Sequence, residues 1–306
     1  MQRFFADVLA PLEARWTPLV NEGISALVEL DDIRATVVMA IAHDDTLGEL
    51  LVLKGGNALR LVHGLGLRTS QDLDYSVKDD LDSPETIRDV LESALAREFV
   101  PRGYTVFDVK LHARPPADRA TDPRWGGWRV EFKLLSTEAF KKHQNDPRRA
   151  VRALDLYGNK KAFQIDISKY EYVESAEDRP FRESFVRVYT LEMIAYEKLR
   201  ALCQQIRGEP SSVPHPRPRP RDFVDISALI EAAKNQILSR CSLLPRIFAA
   251  KNVPTRLLRR LASEREHHRV GWVKVEAELG ANSLGFDSYF DRVICFVEEL
   301  DALGVV

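Results

Sequence analysis

The sequence predicts an α+β fold, and three observations support it. Short β-type segments at 50–53, 72–77, 103–112, 128–135 and 162–168 share the first 185 residues with helical patterns. A glycine pair, Gly55-Gly56, joins the first of these segments to a short helical run. From Thr190 onward the periodicity is that of helix, interrupted by a proline-rich stretch, EPSSVPHPRPRP. The expected organisation is a mixed sheet with flanking helices over 1–185 and a helical C-terminal part over 186–306.

Each element has a local reason. Phe5, Val8, Leu9 and Leu12 fall at helical spacing, and Ile33–Ile41 is apolar, so 1–45 reads as a helical lead-in. Leu50–Leu53 suits a buried strand, and Asn57 can cap a short helix, NALRLVHG. Ser83 as N-cap, Pro84 at the first position and Glu85 in the first turn start the next helix. Gly103–His112 and Trp128–Leu135 alternate as strands around a polar, proline-bearing loop. Thr190 caps a helix with Leu191, Ile194, Ala195, Leu199 and Leu202 as its apolar stripe and Gly208 as its stop. Beyond the proline-rich stretch, Arg221-Asp222-Phe223-Val224-Asp225 opens another helix with acids in its first turn.

Bulk properties narrow the function classes. With 306 residues, 45% apolar and 29% charged, the chain can bury a sizeable core. Its net charge of −2 gives no global pull toward nucleic acid, so any such contact needs a local patch. Met1–Trp16 carries Asp7 and Glu13 without a continuous apolar core, and no run reaches the length of a membrane helix, so a cytoplasmic, membrane-free protein is expected. Cys203, Cys241 and Cys295 lack the paired spacing of zinc or redox sites. No P-loop, G-x-S-x-G elbow or H-E-x-x-H helix is present.

The chemistry concentrates between Leu53 and Val77. In a strand, Asp72 and Asp74 face one way while Leu73 and Tyr75 face the other. Two like charges so placed call for a cation, and magnesium, with hard oxygen ligands and open positions for substrate phosphate, answers that need. The Gly55-Gly56 turn leading into a helix offers backbone N–H groups to phosphate. In Phe163-Gln164-Ile165-Asp166-Ile167, a carboxylate among apolar neighbours must be paired or metal-bound, which makes Asp166 the expected third acid. Glu131, alternating with apolar neighbours in Arg-Val-Glu-Phe-Lys, competes for that role. Two stretches are basic: 141–161, with a net charge of +5, and 246–274, with +6. Each reads either as a solvated face or as a platform for a polyanion.

These residues resemble the polymerase-beta-like nucleotidyltransferase superfamily, and more closely its AbiEii/AbiGii (MenT-like) toxin family of abortive-infection and toxin–antitoxin systems. Four motifs carry the resemblance: Lys54-Gly55-Gly56-Asn57-Ala58-Leu59, Arg68-Thr69-Ser70-Gln71-Asp72-Leu73-Asp74, Glu197-Lys198-Leu199-Arg200-Ala201-Leu202 and Arg221-Asp222-Phe223-Val224-Asp225. Where most of the superfamily has Gly-Ser, this chain has Gly56-Asn57. The resemblance implies a polymerase-beta-like nucleotidyltransferase domain followed by a helical domain that completes the active site. It implies Asp72, Asp74 and Asp166 as magnesium ligands, and Lys198 and Asp222 as further catalytic residues, with Asp225 an alternative to Asp222. Lys54, Gly55, Gly56, Asn57, Arg68 and Ser70 would bind the nucleotide. The implied activity is NTP-dependent transfer of a nucleotide to RNA, tRNA among the options, or to protein, with an antitoxin as partner. Two other readings stand beside it: a nucleotidyltransferase acting on a small molecule, and an inactive nucleotide- or partner-binding module.

Overall fold

The structure of the protein, a computed structural model, describes residues 25–66, 72–116, 125–152, 162–211, 213 and 215–306. Helices α1 (Ser25–Ala42) and α2 (Asp45–Leu50) lead into strand β1 (Val52–Lys54). A helical turn, α3 (Gly55–Asn57), runs on as a π-helical segment, Ala58–Val62, before β2 (Leu73–Ser76). Next come α4 (Pro84–Phe99), the long strands β3 (Tyr104–Arg114) and β4 (Gly127–Ser136), and short α5 (Thr137–Lys142) and α6 (Pro147–Arg152). Strand β5 (Phe163–Ser168) and the hairpin β6 (Glu177–Phe181) and β7 (Ser184–Val188) complete the sheet. The helical part holds α7 (Leu191–Cys203), α8 (Pro220–Ser239), α9 (Leu243–Ala249), a 3-10 stretch Thr255–Glu264, α10 (Arg265–Arg269), α11 (Trp272–Leu279) and α12 (Phe286–Ala302).

The strands form one mixed sheet in the order β3-β4-β5-β2-β1-β7-β6. Strand β2 pairs antiparallel with β1 and parallel with β5, so the segments that carry the predicted acids lie at the sheet's centre. One face is the core. Leu73 and Tyr75 of β2, Ile165 and Ile167 of β5, and Val130 and Phe132 of β4 are all buried there. Helix α4 seals this face because Ile87, Leu91, Leu95 and Phe99 recur on one side of it, and the Phe99 ring lies 6.4 Å from that of Phe132. Burying each such large side chain contributes about 1.5–3 kcal/mol. The opposite face is left to polar residues by the two-residue alternation.

Several boundaries depart from expectation. The first strand starts at Val52 and ends on Lys54, one residue beyond the apolar run. Helix α3 starts at Gly55, so Asn57 lies inside the turn and makes no side-chain cap. Helix α7 does carry the Thr190 cap, whose hydroxyl accepts from Met193 N at 3.3 Å, but it ends at Cys203 rather than at Gly208. The β6–β7 hairpin was not anticipated. Pro180 sits in β6, which is the sheet's edge strand, where a missing N–H costs no ladder bond. No described helix is long and apolar enough to cross a membrane.

Candidate active site

Strand register builds the site. Lys54 on β1 stands opposite Asp74 on β2, Asp74 opposite Asp166 on β5, and Asp166 opposite Arg129 on β4. Cross-strand partners share a face, so these four charged residues form one row on the sheet face turned away from the core. Burial pushes the Asp74 carboxyl up to about 6, with the neighbouring acids Asp166 and Glu197 adding to the rise and Lys54 and Lys198 opposing it. Asp74 is therefore crowded by negative charge that the protein only partly offsets. Asp166 is better served: Arg129 grips it through two bonds of 2.6 Å, and Arg114 reaches it at 3.4 Å. Glu131 lies on the same face as Arg129 but two positions along β4, where it accepts from Gln164 at 2.9 Å.

The glycine turn fits against Asp74. Gly55 has φ +72°, and a Cβ there would lie 2.7 Å from Asp74 Oδ2. A side chain at 55 would thus meet both a strained backbone and the carboxylate itself. Gly55→Ala is expected to destabilise the fold by about 1–3 kcal/mol in chemical denaturation and to displace Asp74. Unchanged stability would show that the turn relaxes freely. The side chain of Asn57 is fully buried and its amide donates to the Asp72 carbonyl at 2.7 Å, so it braces the chain entering β2.

Behind the row lies a buried network that the motifs did not suggest. Lys54 Nζ donates to Ser168 Oγ at 3.1 Å and lies 3.4 Å from Glu171 and 3.7 Å from Glu197. Glu171 is also paired with Arg200 at 2.8 Å and lies 3.8 Å from Lys251, whose ammonium donates to the Lys169 carbonyl at 2.5 Å. Burial raises the Glu171 carboxyl, but Arg200, Lys54 and Lys251 together outweigh it and hold the group down at about 2. This network ties β1 and the segment after β5 to α7 and to the helical part beyond α9. Arg200 lies within the third motif, yet its spacing on a helix gave no reason to expect burial at 2% exposure.

Helices α7 and α8 supply the remaining predicted residues. Lys198, expected to lie off the apolar stripe, is buried because its ammonium sits between Asp222 at 3.0 Å and Asp225 at 2.7 Å. Burial pushes the Asp222 carboxyl up, but Arg219 and Lys198 outweigh that and hold it well below its ordinary range. Glu197 of α7 lies 3.7 Å from Lys54, which places α7 beside the charged row. The arrangement is a charged cluster with carboxylates from β2, β5 and α8 and cations from β1, α7 and the segment before α8.

The family profile described as nucleotidyl transferase AbiEii toxin, type IV toxin–antitoxin system, matches residues 38–292. The chain belongs to the AbiEii nucleotidyltransferase toxin family. A search of curated proteins returns no match. Solved structures share the fold at low identity. JHP933 from Helicobacter pylori aligns at 17% identity with a TM-score of 0.50, covering 92% of this chain and 93% of that one. MenT4, a nucleotidyltransferase toxin from Mycobacterium tuberculosis, aligns at 15% identity and a TM-score of 0.50, covering 91% of this chain and 86% of that one.

For this AbiEii protein, the structure brings Lys54, Gly55, Asp74, Asp166, Lys198 and Asp222 into one charged cluster. Arg68 and Ser70 lie outside the described residues, as do Lys160 and Lys161 of the first basic stretch. The second basic stretch is largely neutralised by acids, most of them outside it. Arg256 and Arg260 pair with Glu209, Arg259 with Asp301, and Arg265 and Arg269 with Asp287. Net charge along the sequence overstated that surface, since tertiary neighbours offset it. Among the described residues no three His, Cys, Asp or Glu side chains converge as a ready metal cluster.

Proposed function

We propose that this AbiEii protein transfers a nucleotide from an NTP to an RNA acceptor in a magnesium-dependent reaction. The observation that carries the proposal is the cross-sheet row in which Asp74 stands between Lys54 and Asp166, with its carboxyl pushed up by burial beside other acids. A carboxylate in that state is stabilised by a further cation. The donor set fits a hard divalent ion, because magnesium needs only one or two carboxylates and takes its other ligands from water and phosphate. Asp72 and Asp74 would hold it, with Asp166 alongside. When bound, the ion would supply charge neutralisation at the triphosphate and acidify an attacking hydroxyl.

The chain's own groups do the positioning. Gly55 lets the backbone pass close to Asp74, and Asn57 fixes the backbone of Asp72. Arg129 orients Asp166 through both carboxylate oxygens. Lys198 of α7, held by Asp222 and Asp225, partly offsets the negative charge at Asp74. For the acceptor, the exposed Lys141 and Arg148 of α5 and α6, beside Lys142 and Arg149 paired with Glu138 and Asp146, support a polyanion. An antitoxin protein is proposed as the regulatory partner, in keeping with the type IV toxin–antitoxin family.

The test is incubation with each α-labelled NTP, magnesium and total RNA or protein, comparing the intact chain with Asp74→Ala. Label on RNA that disappears in the variant is the expected result. Label confined to protein would replace RNA as acceptor. With no labelled macromolecule for any NTP, the nucleic-acid reading would be overturned.

A further inference from the structure

We propose that Arg219, carried by the proline-rich segment between α7 and α8, grips the triphosphate of the incoming nucleotide. The inference rests on the nucleotidyl-transfer reading above and adds a residue that the four motifs do not contain.

The backbone of Arg217 and Arg219 is pinned. Arg217 N donates to the side-chain carbonyl of Gln205 at 2.8 Å, and Arg219 N donates to His268 Nδ1 at 3.2 Å. Gln205 and His268 are both buried, and His268 packs against Phe223 with ring centroids 5.2 Å apart. Burial pushes the His268 imidazole down to about 4, so at neutral pH it is uncharged and can accept the Arg219 N–H. Pro218 and Pro220 flank Arg219 and fix two more backbone angles. The backbone at 219 is thus set before any ligand arrives, which lowers the ordering cost of binding.

The side chain is set as well, but only by its inner nitrogen. Arg219 Nε donates to Asp222 Oδ2. Its two terminal amino groups donate to no described protein group, and the side chain keeps 41% of its surface exposed while Asp222 keeps 5%. Guanidinium has five N–H donors in a planar fork that matches phosphate oxygens in pairs. Here one donor anchors a side chain that remains 41% exposed. Asp222 contacts both Arg219 and Lys198, and Glu197, next to Lys198 on α7, lies 3.7 Å from Lys54, which ties Arg219 to the charged cluster by side-chain geometry.

Three of the other cations are committed inward, while Arg114, 53% exposed, reaches Asp166 on β5 at 3.4 Å, on the strand side of the row away from α8. Lys54 is turned to Ser168 and Glu171, Lys198 lies between two carboxylates, and Arg129 holds Asp166 with two bonds. Their side chains are 7%, 6% and 16% exposed. A triphosphate reaching this cluster meets an accessible, pre-oriented, bidentate donor at Arg219. Because Asp222 holds Nε, the contact needs no rearrangement of the anchor. It also gives Asp222 a concrete role: positioning Arg219 along with Lys198.

The experiment measures binding of magnesium pyrophosphate, the product common to transfer from any NTP, by titration calorimetry with the intact chain, Arg219→Gln and Arg219→Lys. Steady-state transfer is followed in parallel. Expected are a 10- to 30-fold weaker pyrophosphate affinity and a matching rise in KM for the NTP in Arg219→Gln, with a smaller change in kcat. Arg219→Lys, which keeps the charge but not the fork, should fall between. A merely structural role for Arg219 would instead lower the melting temperature and leave KM unchanged. Pyrophosphate binding by Arg219→Gln within twofold of the intact chain overturns the inference, as does full affinity in Arg219→Lys should the Gln variant fail to fold. An intact chain that binds neither pyrophosphate nor NTP refutes the nucleotidyl-transfer reading itself, a result separable from either variant's.

Discussion

Asp74→Asn is expected to abolish nucleotide transfer while leaving a protein more stable than the original at pH 8 in magnesium-free buffer. The loss of activity should be on the order of a thousandfold or more, since removing a metal-holding, charge-placing group costs several kcal/mol of transition-state stabilisation. The stability gain follows from the raised carboxyl. Its value in the fold is about 6 against an ordinary 3.8. A group raised in this way contributes its stability fully below pH 3.8 and loses it as pH rises through about 6. At pH 8 the carboxylate is therefore a cost. At about 1.4 kcal/mol per pH unit the upper bound is near 3 kcal/mol, and solvent access to the partly exposed group reduces this to about 1–2 kcal/mol. Thermal melts from pH 4 to pH 8 should show the two proteins converging at the acid end. An Asn variant less stable at pH 8, or a difference independent of pH, would mean that Asp74 is already satisfied by the protein alone. Magnesium should raise the melting temperature of the intact chain and not of the variant.

The largest stability loss is expected at Glu171, which lies outside the four motifs but contacts Lys54 and Arg200 from two of them. Glu171→Gln leaves Arg200, Lys54 and Lys251 buried around a neutral amide, with Glu197 as the remaining nearby acid. Removing one partner of a buried charged group typically costs about 3–5 kcal/mol, because the remaining charges lose their compensation. Urea unfolding at pH 7 is the measurement, and a change below about 1 kcal/mol would show that water or rearranged partners replace the carboxylate. The pH dependence runs opposite to that of Asp74. Glu171 is held down at about 2 against an ordinary 4.5, so its contribution is present above pH 4.5 and is lost as pH falls from there toward 2. The Gln variant should lack this part of the acid-unfolding curve. Since the network joins the sheet to α7 and the region after α9, its loss should loosen the two parts together rather than one alone.

The local patterns of this sequence determined a good deal. Alternation placed Leu73, Tyr75, Ile165 and Ile167 in the core and so turned Asp74 and Asp166 to the opposite face. The Gly55 turn was legible because a positive φ and a close approach both demand glycine. The starts of α4 at Pro84 and of α7 after Thr190 were legible because proline and caps act over three or four residues, although Ser83 makes no side-chain cap and α8 begins at Pro220, one residue before the expected Arg221. Family motifs added Lys198 and Asp222.

What only the tertiary structure decided is which charges meet. Arg129 and Asp166 lie 37 residues apart, Lys54 and Glu171 117 apart, and His268 reaches the Arg219 backbone across 49. Nothing periodic marks such pairs in a sequence, because an ion pair depends on the distance between side-chain tips and not on spacing along one element. For the same reason the basic stretch around Arg256–Arg269 looked like a cationic surface until Glu209, Asp287 and Asp301 were placed beside it. Asn57, read as a cap, became a buried brace once the helix began two residues earlier at Gly55. Backbone preference and hydrophobic alternation are local and can be read in one dimension, whereas desolvation and Coulomb pairing set the protonation and reach of each site residue only after folding has chosen its neighbours.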